Sequence, residues 1–193
     1  MVFQRGFKTR CEGLSLQVRH RLRIAPDEEL PPERLAEDLG VTLWSCQDIA
    51  GLAPDVRDRL EGAFKGEWSA VTIMTGPKPV IVFNTSHSRR RQVSTLLHEM
   101  AHVLLDHTPG NMFFGANGLA LRTFDKTQES EADWLAGCLL LPRDALLSAR
   151  KRRLTNEEIC ERHSASEDML RFRLNATGVD RQVQAQRRGR ATA

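Results

Sequence analysis

The 193-residue chain contains no tyrosine and few aromatic residues of any kind, 6% in all. The absence of tyrosine excludes a phenol from catalysis, so a reaction that builds negative charge on oxygen must use another group to stabilise that charge. The sequence also lacks any run of about 18 apolar residues, which excludes an ordinary membrane-spanning helix. Its first residues lack the apolar stretch of a secretory signal.

Cysteine is scarce, and its four positions are scattered: Cys11, Cys46, Cys138 and Cys160. There is no CxxC pair and no dense spacing typical of a disulfide framework or a structural zinc site. The pattern predicts reduced thiols inside a cell. Together with the missing signal and membrane segments, it predicts a soluble cytoplasmic protein with no membrane partner.

The charge of the chain is nearly balanced, with a net charge of +3 and a sequence pI of about 8.9. The excess of positive charge lies in local arginine runs, so composition by itself does not indicate a nucleic-acid partner. Hydrophobic residues make up 40% of the chain, which is enough for one compact domain with a core. Nothing in the sequence indicates an oligomeric state.

The predicted secondary structure is mostly helical, with a few strands before the middle of the chain. The segments SAVTIMTG and KPVIVFN are rich in β-branched residues and meet at the turn-forming Gly76 and Pro77, which predicts an antiparallel pair. VTLWSC is compatible with a further strand. Helices are predicted over about 7–24, 32–39, 55–64, 89–107, 127–141, 142–153, 156–163 and 166–175, with a Gly/Asn-rich loop before residue 127.

Three of the six histidines fall within LLHEMAHVLLDH, which starts at residue 96 and otherwise has the pattern of an apolar helix. His98, Glu99 and His102 spell HExxH. In a helix the two histidines stand at i and i+4, so both rings lie on one face about one turn apart. This spacing predicts that they bind one zinc ion, the alternative being two unrelated histidines on a partly exposed helix.

The rest of this helix favours the metal interpretation. At about 100° per residue, Val93, Leu97 and Met100 cluster on the side nearly opposite His98 and His102. The helix therefore has an apolar face for the core and a second face that carries the imidazoles.

Zinc at a catalytic site needs a third protein ligand and a position left open for water. The downstream segment ESEADWLAGCLLLP supplies the candidate, Glu129, which shares a helical face with the small residues Ala132 and Ala136. Glu131 points about 160° away on the same helical wheel. We therefore predict that Glu129, rather than Glu131, is the third ligand.

Two further carboxylates acquire predicted roles from their positions. Glu99 follows a ligating histidine directly, so it is placed to take a proton from an attacking water and pass it to a leaving amine. Asp133 stands at i+4 from Glu129 and can accept a hydrogen bond from the far nitrogen of a ligating histidine. The spacing leaves open that Asp133 is only a surface carboxylate.

These motifs resemble those of the ImmA/IrrE family of metallo-endopeptidases. The resemblance rests on HEMAHVLLDH at 98–107 and ESEADWLAGCLLLPRDAL at 129–146, and more loosely on FKTRCEGLSLQVR, LAEDLGV and VIVFNTSHSRRRQ. It extends over 7–178. HExxH alone occurs in many peptidases, and its combination with ExxA and LLLP is considerably more specific.

The resemblance implies a zincin-like α+β fold, mostly helical, with a small antiparallel sheet packed on the HExxH helix. It implies one zinc ion bound by His98, His102 and Glu129, with Glu99 as the catalytic base. It further implies that the substrate is a protein, namely a helix-turn-helix transcriptional repressor. Members of the family commonly act beside such a repressor in stress responses or mobile elements.

The predicted organisation has three parts. Residues 7–153 form the zincin-like metallopeptidase domain, and 154–177 form helix-turn-helix-like helices packed on its core. Residues 178–193 carry several arginines and no large apolar cluster, so they are predicted to be a disordered basic tail.

The segment over 154–177 supports a competing interpretation. Arg171 and Arg173 on its second helix can face phosphate, which predicts a DNA-binding regulator. We favour the alternative that the two helices pack on the core and bury Met169, Phe172 and Leu174, because acidic residues crowd the first helix. Direct nucleic-acid binding is therefore possible but not favoured. A third interpretation is a zinc-stabilised interaction protein without peptidase activity.

Other histidines and arginines are left without a ranked role. With no tyrosine present, the oxyanion of the reaction can be stabilised by His87, His107, a residue of the run Arg89–Arg91 or a backbone amide. His107 lies about 180° from His98 on the wheel, which favours a partner of the helix dipole. Cys160 and His163 have a metal-compatible spacing without further ligands nearby, and we expect His163 at the surface.

Overall fold

The computed structural model of the chain describes residues 3–75, 78–108, 112–114, 120–122 and 125–191. The helices in this part are α1 (Phe7–Leu22), α2 (Pro32–Leu39), α3 (Pro54–Glu61), α4 (Arg89–Leu104), α5 (Lys126–Leu140), α6 (Arg143–Lys151), α7 (Asn156–Arg162), α8 (Glu167–Thr177) and α9 (Val179–Ala191). The strands are β1 (Thr42–Trp44), β2 (Ala70–Thr75), β3 (Lys78–Phe83), β4 (Met112–Phe114) and β5 (Ala120–Arg122). The predicted α+β class with mostly helical content is confirmed.

The main sheet has three strands in the order β1-β3-β2. The predicted antiparallel pair is confirmed, with Thr72 of β2 opposite Ile81 of β3. β1 adds a parallel strand that places Leu43 beside Ile81, so the sheet is mixed rather than antiparallel throughout. The chain between β1 and β3 contains α3 and β2, and this long connection is what permits a parallel neighbour. The predicted turn at Gly76 and Pro77 lies outside the described residues.

Helices α4 and α5 form the centre of the molecule, with the sheet against α4 and helix α1 against α5. The apolar face predicted for α4 is confirmed, since Val93, Leu97 and Met100 are each 0% exposed. Each such side chain contributes roughly 1.5–3 kcal/mol by leaving water. No helix in the described ranges has both the length and the apolar character needed to cross a membrane.

The segment before α5 is more regular than predicted. β4 and β5 pair in antiparallel fashion, with Phe113 opposite Leu121, so the prediction of a loop is wrong for these two short strands. The rest of that predicted loop lies largely outside the described residues.

The helices over 154–177 pack on the core, as the favoured interpretation predicted. Leu170 is 1% exposed and Leu174 is 8% exposed, whereas Phe172 is 41% exposed and its predicted burial is wrong. Gly137 of α5 permits the approach of α8, because a Cβ atom there would lie 3.0 Å from Cδ of Arg173. Where a domain boundary falls within this packed unit stays a prediction.

Arg173 does not face solvent. Its side chain is 0% exposed, its Nε donates to the carbonyl oxygen of Leu141 at 2.9 Å, and its guanidinium pairs with Glu12 of α1. Arg171, two residues earlier on the same helix, is exposed and pairs with Asp168. The prediction that both arginines can contact phosphate is therefore wrong for Arg173, which links α8 to α1 and α5.

The predicted disordered tail is a helix over its described residues, α9, so that prediction is wrong through Ala191. Val179 is 0% exposed and Val183 is 5% exposed, and α9 lies against α6. Arg150 of α6 donates to Asp180 at 2.8 Å. Two buried valines one helical turn apart and polar contacts with α6 together dock a helix that composition alone did not predict.

The four cysteines are free and buried. Burial raises the pKa of the Cys11 thiol to about 12 and raises the pKa of Cys138 as well. The thiolate form that reacts with oxidants and metals is thereby disfavoured.

Candidate metal centre

The N-terminus of α5 is held by a side-chain cap that also positions the predicted third ligand. The carboxylate of Asp125 accepts hydrogen bonds from the backbone nitrogens of Thr127 and Gln128 at 2.8 and 3.3 Å. Such a cap typically contributes about 1 kcal/mol to a helix. Glu129 lies in the first turn of the capped helix, where α5 packs against α4.

Packing of α5 on α4 brings His98, His102 and Glu129 together. Nε2 of His98 lies 3.2 Å from Oε2 of Glu129 and 3.2 Å from Nε2 of His102, and the Glu129 oxygen lies 3.6 Å from Nε2 of His102. One ligand atom from each residue falls within 4.8 Å of the others. Glu131 is not part of this cluster.

Asp133 contacts the far side of the His98 ring. Its Oδ1 lies 2.9 Å from Nδ1 of His98, although the Asp133 side chain is 73% exposed. A carboxylate only accepts hydrogen bonds, so Nδ1 of a neutral His98 carries the proton and Nε2 presents a lone pair. Asp133 thus contacts one ring nitrogen of His98, while the other, Nε2, faces Glu129 and His102.

The surroundings of the two imidazoles shift their pKa values in opposite directions. Burial alone would lower the pKa of His98, but the hydrogen bond to Asp133 and the charges of Asp133, Glu99 and Glu129 raise it above 6.5. Burial lowers the pKa of His102, helped by the neighbouring His98, against the opposing carboxylates. The negative charge that attracts a proton to this cluster attracts a metal cation equally.

Glu99 lies on the inner side of α4, facing the sheet. Its side chain is 7% exposed, and one carboxylate oxygen accepts a hydrogen bond from the hydroxyl of Thr72 on β2. The contact restricts the orientation of the carboxylate beside the histidines. The sequence did not predict this role of Thr72. Nothing in the pattern of β2 indicates that its Thr72 contacts Glu99 on the neighbouring helix α4.

His107 follows the end of α4, and its ring lies beside the ring of His102. Asp106 adopts a left-handed φ of 54°, and the backbone nitrogen of His107 donates to the carbonyl oxygen of His102 at 3.0 Å. The turn carries Nδ1 of His107 to 3.0 Å from Nδ1 of His102, and Nε2 of His107 to 3.3 Å from Oε2 of Glu131. The prediction of a helix-dipole partner is wrong, because a helical wheel does not apply after α4 ends at Leu104.

Three of the other candidates for oxyanion stabilisation have partners elsewhere. Nε2 of His87 lies 3.0 Å from the carbonyl oxygen of Trp68. Arg89 pairs with Glu33 of α2 at 2.7 Å, and Arg91 donates to the Ser69 hydroxyl at 2.9 Å. These contacts connect the start of α4 with α2 and with the residue before β2, so Arg89 and Arg91 have a structural role.

The three clustered residues fit a divalent metal ion. Two imidazole nitrogens and one carboxylate oxygen form a donor set typical of catalytic zinc, which keeps a fourth position for solvent or substrate. Proton placement supports the fit as well as distance, since the contact with Asp133 leaves Nε2 of a neutral His98 with a lone pair that faces the other two donors. Electron pairs of this kind repel one another unless a cation lies among them.

A helix that carries HExxH, packed on a small sheet and completed by a carboxylate from the next long helix, defines a zincin-like metallopeptidase. The profile of the Peptidase_M78 family, described as the IrrE N-terminal-like domain, matches residues 61–175. The match spans more than half of the chain and includes His98, Glu99, His102 and Glu129. The chain therefore belongs to this family of metal-dependent ImmA/IrrE-type peptidases, which confirms the resemblance. A comparison with curated proteins finds no match to the chain.

Proposed function

We propose that the chain is a zinc-dependent endopeptidase that hydrolyses a peptide bond in a protein substrate. The observation that carries this proposal is the convergence of His98, His102 and Glu129 within 4.8 Å, with the buried Glu99 beside the two histidines. In this assignment the three clustered residues are the metal ligands, Glu99 is the base and Asp133 orients His98.

Zinc is the favoured ion because of its ligands. Imidazole and carboxylate donors in a set of three are typical of zinc hydrolases, whereas calcium and magnesium prefer oxygen donors alone. When bound, the ion supplies Lewis acidity, which polarises the scissile carbonyl and makes water a better nucleophile.

Glu99 is the group that moves the protons. Its carboxylate accepts a proton from the attacking water as the water oxygen bonds to the carbonyl carbon. It then gives that proton to the amide nitrogen as the carbon–nitrogen bond breaks, so the products are a carboxylic acid and an amine. The hydroxyl of Thr72, which donates to one Glu99 oxygen, holds the carboxylate oriented while the other oxygen handles the proton.

The proposed substrate is a helix-turn-helix transcriptional repressor, cleaved in a stress or mobile-element response. Support for this substrate comes from membership of the family and from the ImmA/IrrE resemblance of the motifs. The buried Arg173 weakens the alternative in which this chain itself binds DNA through α8.

The test compares Glu99→Gln with wild type by co-expression with a helix-turn-helix repressor encoded in a neighbouring reading frame. Loss of a general base is expected to slow cleavage by about 10²- to 10⁴-fold while metal content and fold are retained. Repressor fragments are followed by mass spectrometry, which also identifies the cleaved bond. Glu37→Gln, an exposed carboxylate on α2, is the matched control and should cleave like wild type.

Two outcomes would contradict the proposal. Cleavage by Glu99→Gln at the wild-type rate would remove Glu99 from catalysis. A protein that loses its fold on chelation yet shows no Glu99-dependent cleavage of any neighbouring repressor would instead be a zinc-stabilised interaction protein.

A further inference from the structure

The outer contact of His102 differs from that of His98. Nδ1 of His102 lies 3.0 Å from Nδ1 of His107, and Nε2 of His107 lies 3.3 Å from Oε2 of Glu131. The side chains of His107 and Glu131 are 7% and 19% exposed, so water competes little for these contacts. The three residues form a row that leads from α5 to the metal-facing ring of α4.

We propose that Glu131 and His107 are positioning residues that set the tautomer and the ring orientation of His102 for metal binding. The proposal rests on the proposed function only in taking His102 to be a metal ligand. It assigns a role to Glu131, which the cluster of three ligands leaves out, and to His107, which lies beyond α4.

Proton placement gives the row a direction. An ionised Glu131 accepts hydrogen bonds only, so Nε2 of a neutral His107 is the donor and its Nδ1 carries a lone pair. That lone pair accepts from Nδ1–H of His102. A neutral imidazole carries one ring proton, so Nε2 of His102 is left with a lone pair that faces Glu129 and His98.

The opposite placement is incompatible with metal binding. If Nδ1 of His107 donated to Nδ1 of His102, the proton of a neutral His102 would lie on Nε2 and occupy the position of the ion. Glu131 at the outer end of the row prevents this, because it requires the donor of a neutral His107 to be Nε2. Partners of this kind fix the tautomer of metal-binding histidines and raise their basicity.

The backbone at the end of α4 makes the contact between the two rings possible. The backbone nitrogen of Asp106 donates to the carbonyl oxygen of Val103 at 3.2 Å, and the backbone nitrogen of His107 donates to the carbonyl oxygen of His102 at 3.0 Å. With the left-handed Asp106, these two bonds form a Schellman motif, in which the residue after the left-handed position contacts the residue five positions earlier. Here that contact joins two imidazoles.

The first experiment measures the tautomers of wild-type protein without metal by two-bond ¹H–¹⁵N correlation spectra of the histidine rings. We expect the Nδ1–H form for His102 and the Nε2–H form for His107. A His102 ring in the Nε2–H form would overturn the proposal. The measurement needs no variant and no peptidase activity, so it stands apart from the proposed function.

The second experiment measures Zn²⁺ affinity by chelator competition. His107→Phe and Glu131→Leu each introduce an apolar side chain of similar size that cannot form the hydrogen bonds. Each is expected to weaken Zn²⁺ binding by about 10- to 100-fold. His107→Asn, whose amide oxygen can replace Nδ1 as acceptor, and Glu131→Gln, whose amide oxygen can accept from His107, should restore most of that affinity.

The conservative variants separate positioning from mere packing. Wild-type affinity in both His107→Phe and Glu131→Leu would overturn the proposal, as would equal losses in the conservative and the apolar variants. His20→Phe, at an exposed histidine of α1, is the control and should bind Zn²⁺ like wild type. If Zn²⁺ binding follows this pattern but no repressor is cleaved, the proposed function fails while the row keeps its role.

Discussion

The α4–α5 centre and the C-terminal helices α7 and α8 both bury charged and titratable side chains, yet these side chains have different surroundings. At the centre, His98, His102 and Glu129 face one another as electron-pair donors. In the C-terminal helices, the buried Arg173 is matched by Glu12 and by the carbonyl oxygen of Leu141. With neutral imidazoles the first set has no cation among its own members, whereas the second set contains both a cation and a carboxylate.

This difference teaches how to separate a metal centre from a structural ion pair. Buried groups of opposite charge satisfy each other, so they stabilise packing without a ligand. Partly buried imidazoles that donate their one proton outward, as Nδ1 of a neutral His98 does to Asp133, present lone pairs inward where a cation can bind. The positions of the protons therefore distinguish a metal centre from an ion pair better than the residue types do.

The largest effect is expected at the centre. Glu129→Ala removes one of three ligands, so Zn²⁺ affinity should fall by more than the about 10- to 100-fold expected for loss of an outer partner such as Glu131. Elemental analysis after dialysis should find near-stoichiometric zinc in wild type and almost none in the variant. Glu37→Ala serves as the control. Retention of zinc by Glu129→Ala would contradict the assignment of Glu129 as a metal ligand.

The next effect is expected where α8 meets α1. Arg173→Ala removes the cationic partner of the partly buried Glu12, which keeps a hydrogen bond from the backbone nitrogen of Arg143, and should lower the free energy of unfolding by about 3–5 kcal/mol. Arg171→Ala, on the same helix but exposed, should change it by no more than about 0.5 kcal/mol. Urea denaturation measures both. Equal effects of the two substitutions would contradict the structural role given to Arg173.

The smallest effect concerns His163, at the end of α7, which is 2% exposed rather than at the surface as predicted. Burial, with the charges of Arg19 and Arg162, lowers the pKa of His163 to about 4 from 6.5. The unfolded chain therefore binds more protons than the folded chain between these two values. The stability that the folded protein gains from a neutral His163 is fully present above pH 6.5 and is lost as the pH falls toward 4.

The measurable consequence is a change in the pH dependence of stability. His163→Gln should remove up to about 3 kcal/mol from the decline in the free energy of unfolding between pH 6.5 and 4. Urea denaturation at several pH values follows this decline, with His20→Gln at an exposed site as control. An unchanged decline would show that His163 is protonated as readily in the folded protein as in the unfolded chain.

The centre was predictable from sequence to a large extent because its residues lie on two helices with strict spacing. HExxH places His98 and His102 on one face of α4, and the helical wheel separates Glu129 from Glu131 on α5. The contacts that residues outside the helices make with the centre were not predicted. Thr72 comes from a strand, and His107 follows a left-handed residue, so neither position obeys the rule that located the ligands.

Local pattern alone determined the helices α1 to α8, which face of α4 is apolar and which side chains can bind a metal, because these properties depend on residues within a few turns of one another. Only the tertiary structure decided which outer partner each histidine receives, that Arg173 points inward and that the last helix docks through Val179 and Val183. The reason is physical: burial and hydrogen-bond partners depend on which distant segment packs nearby, and a helical period carries no information about that segment.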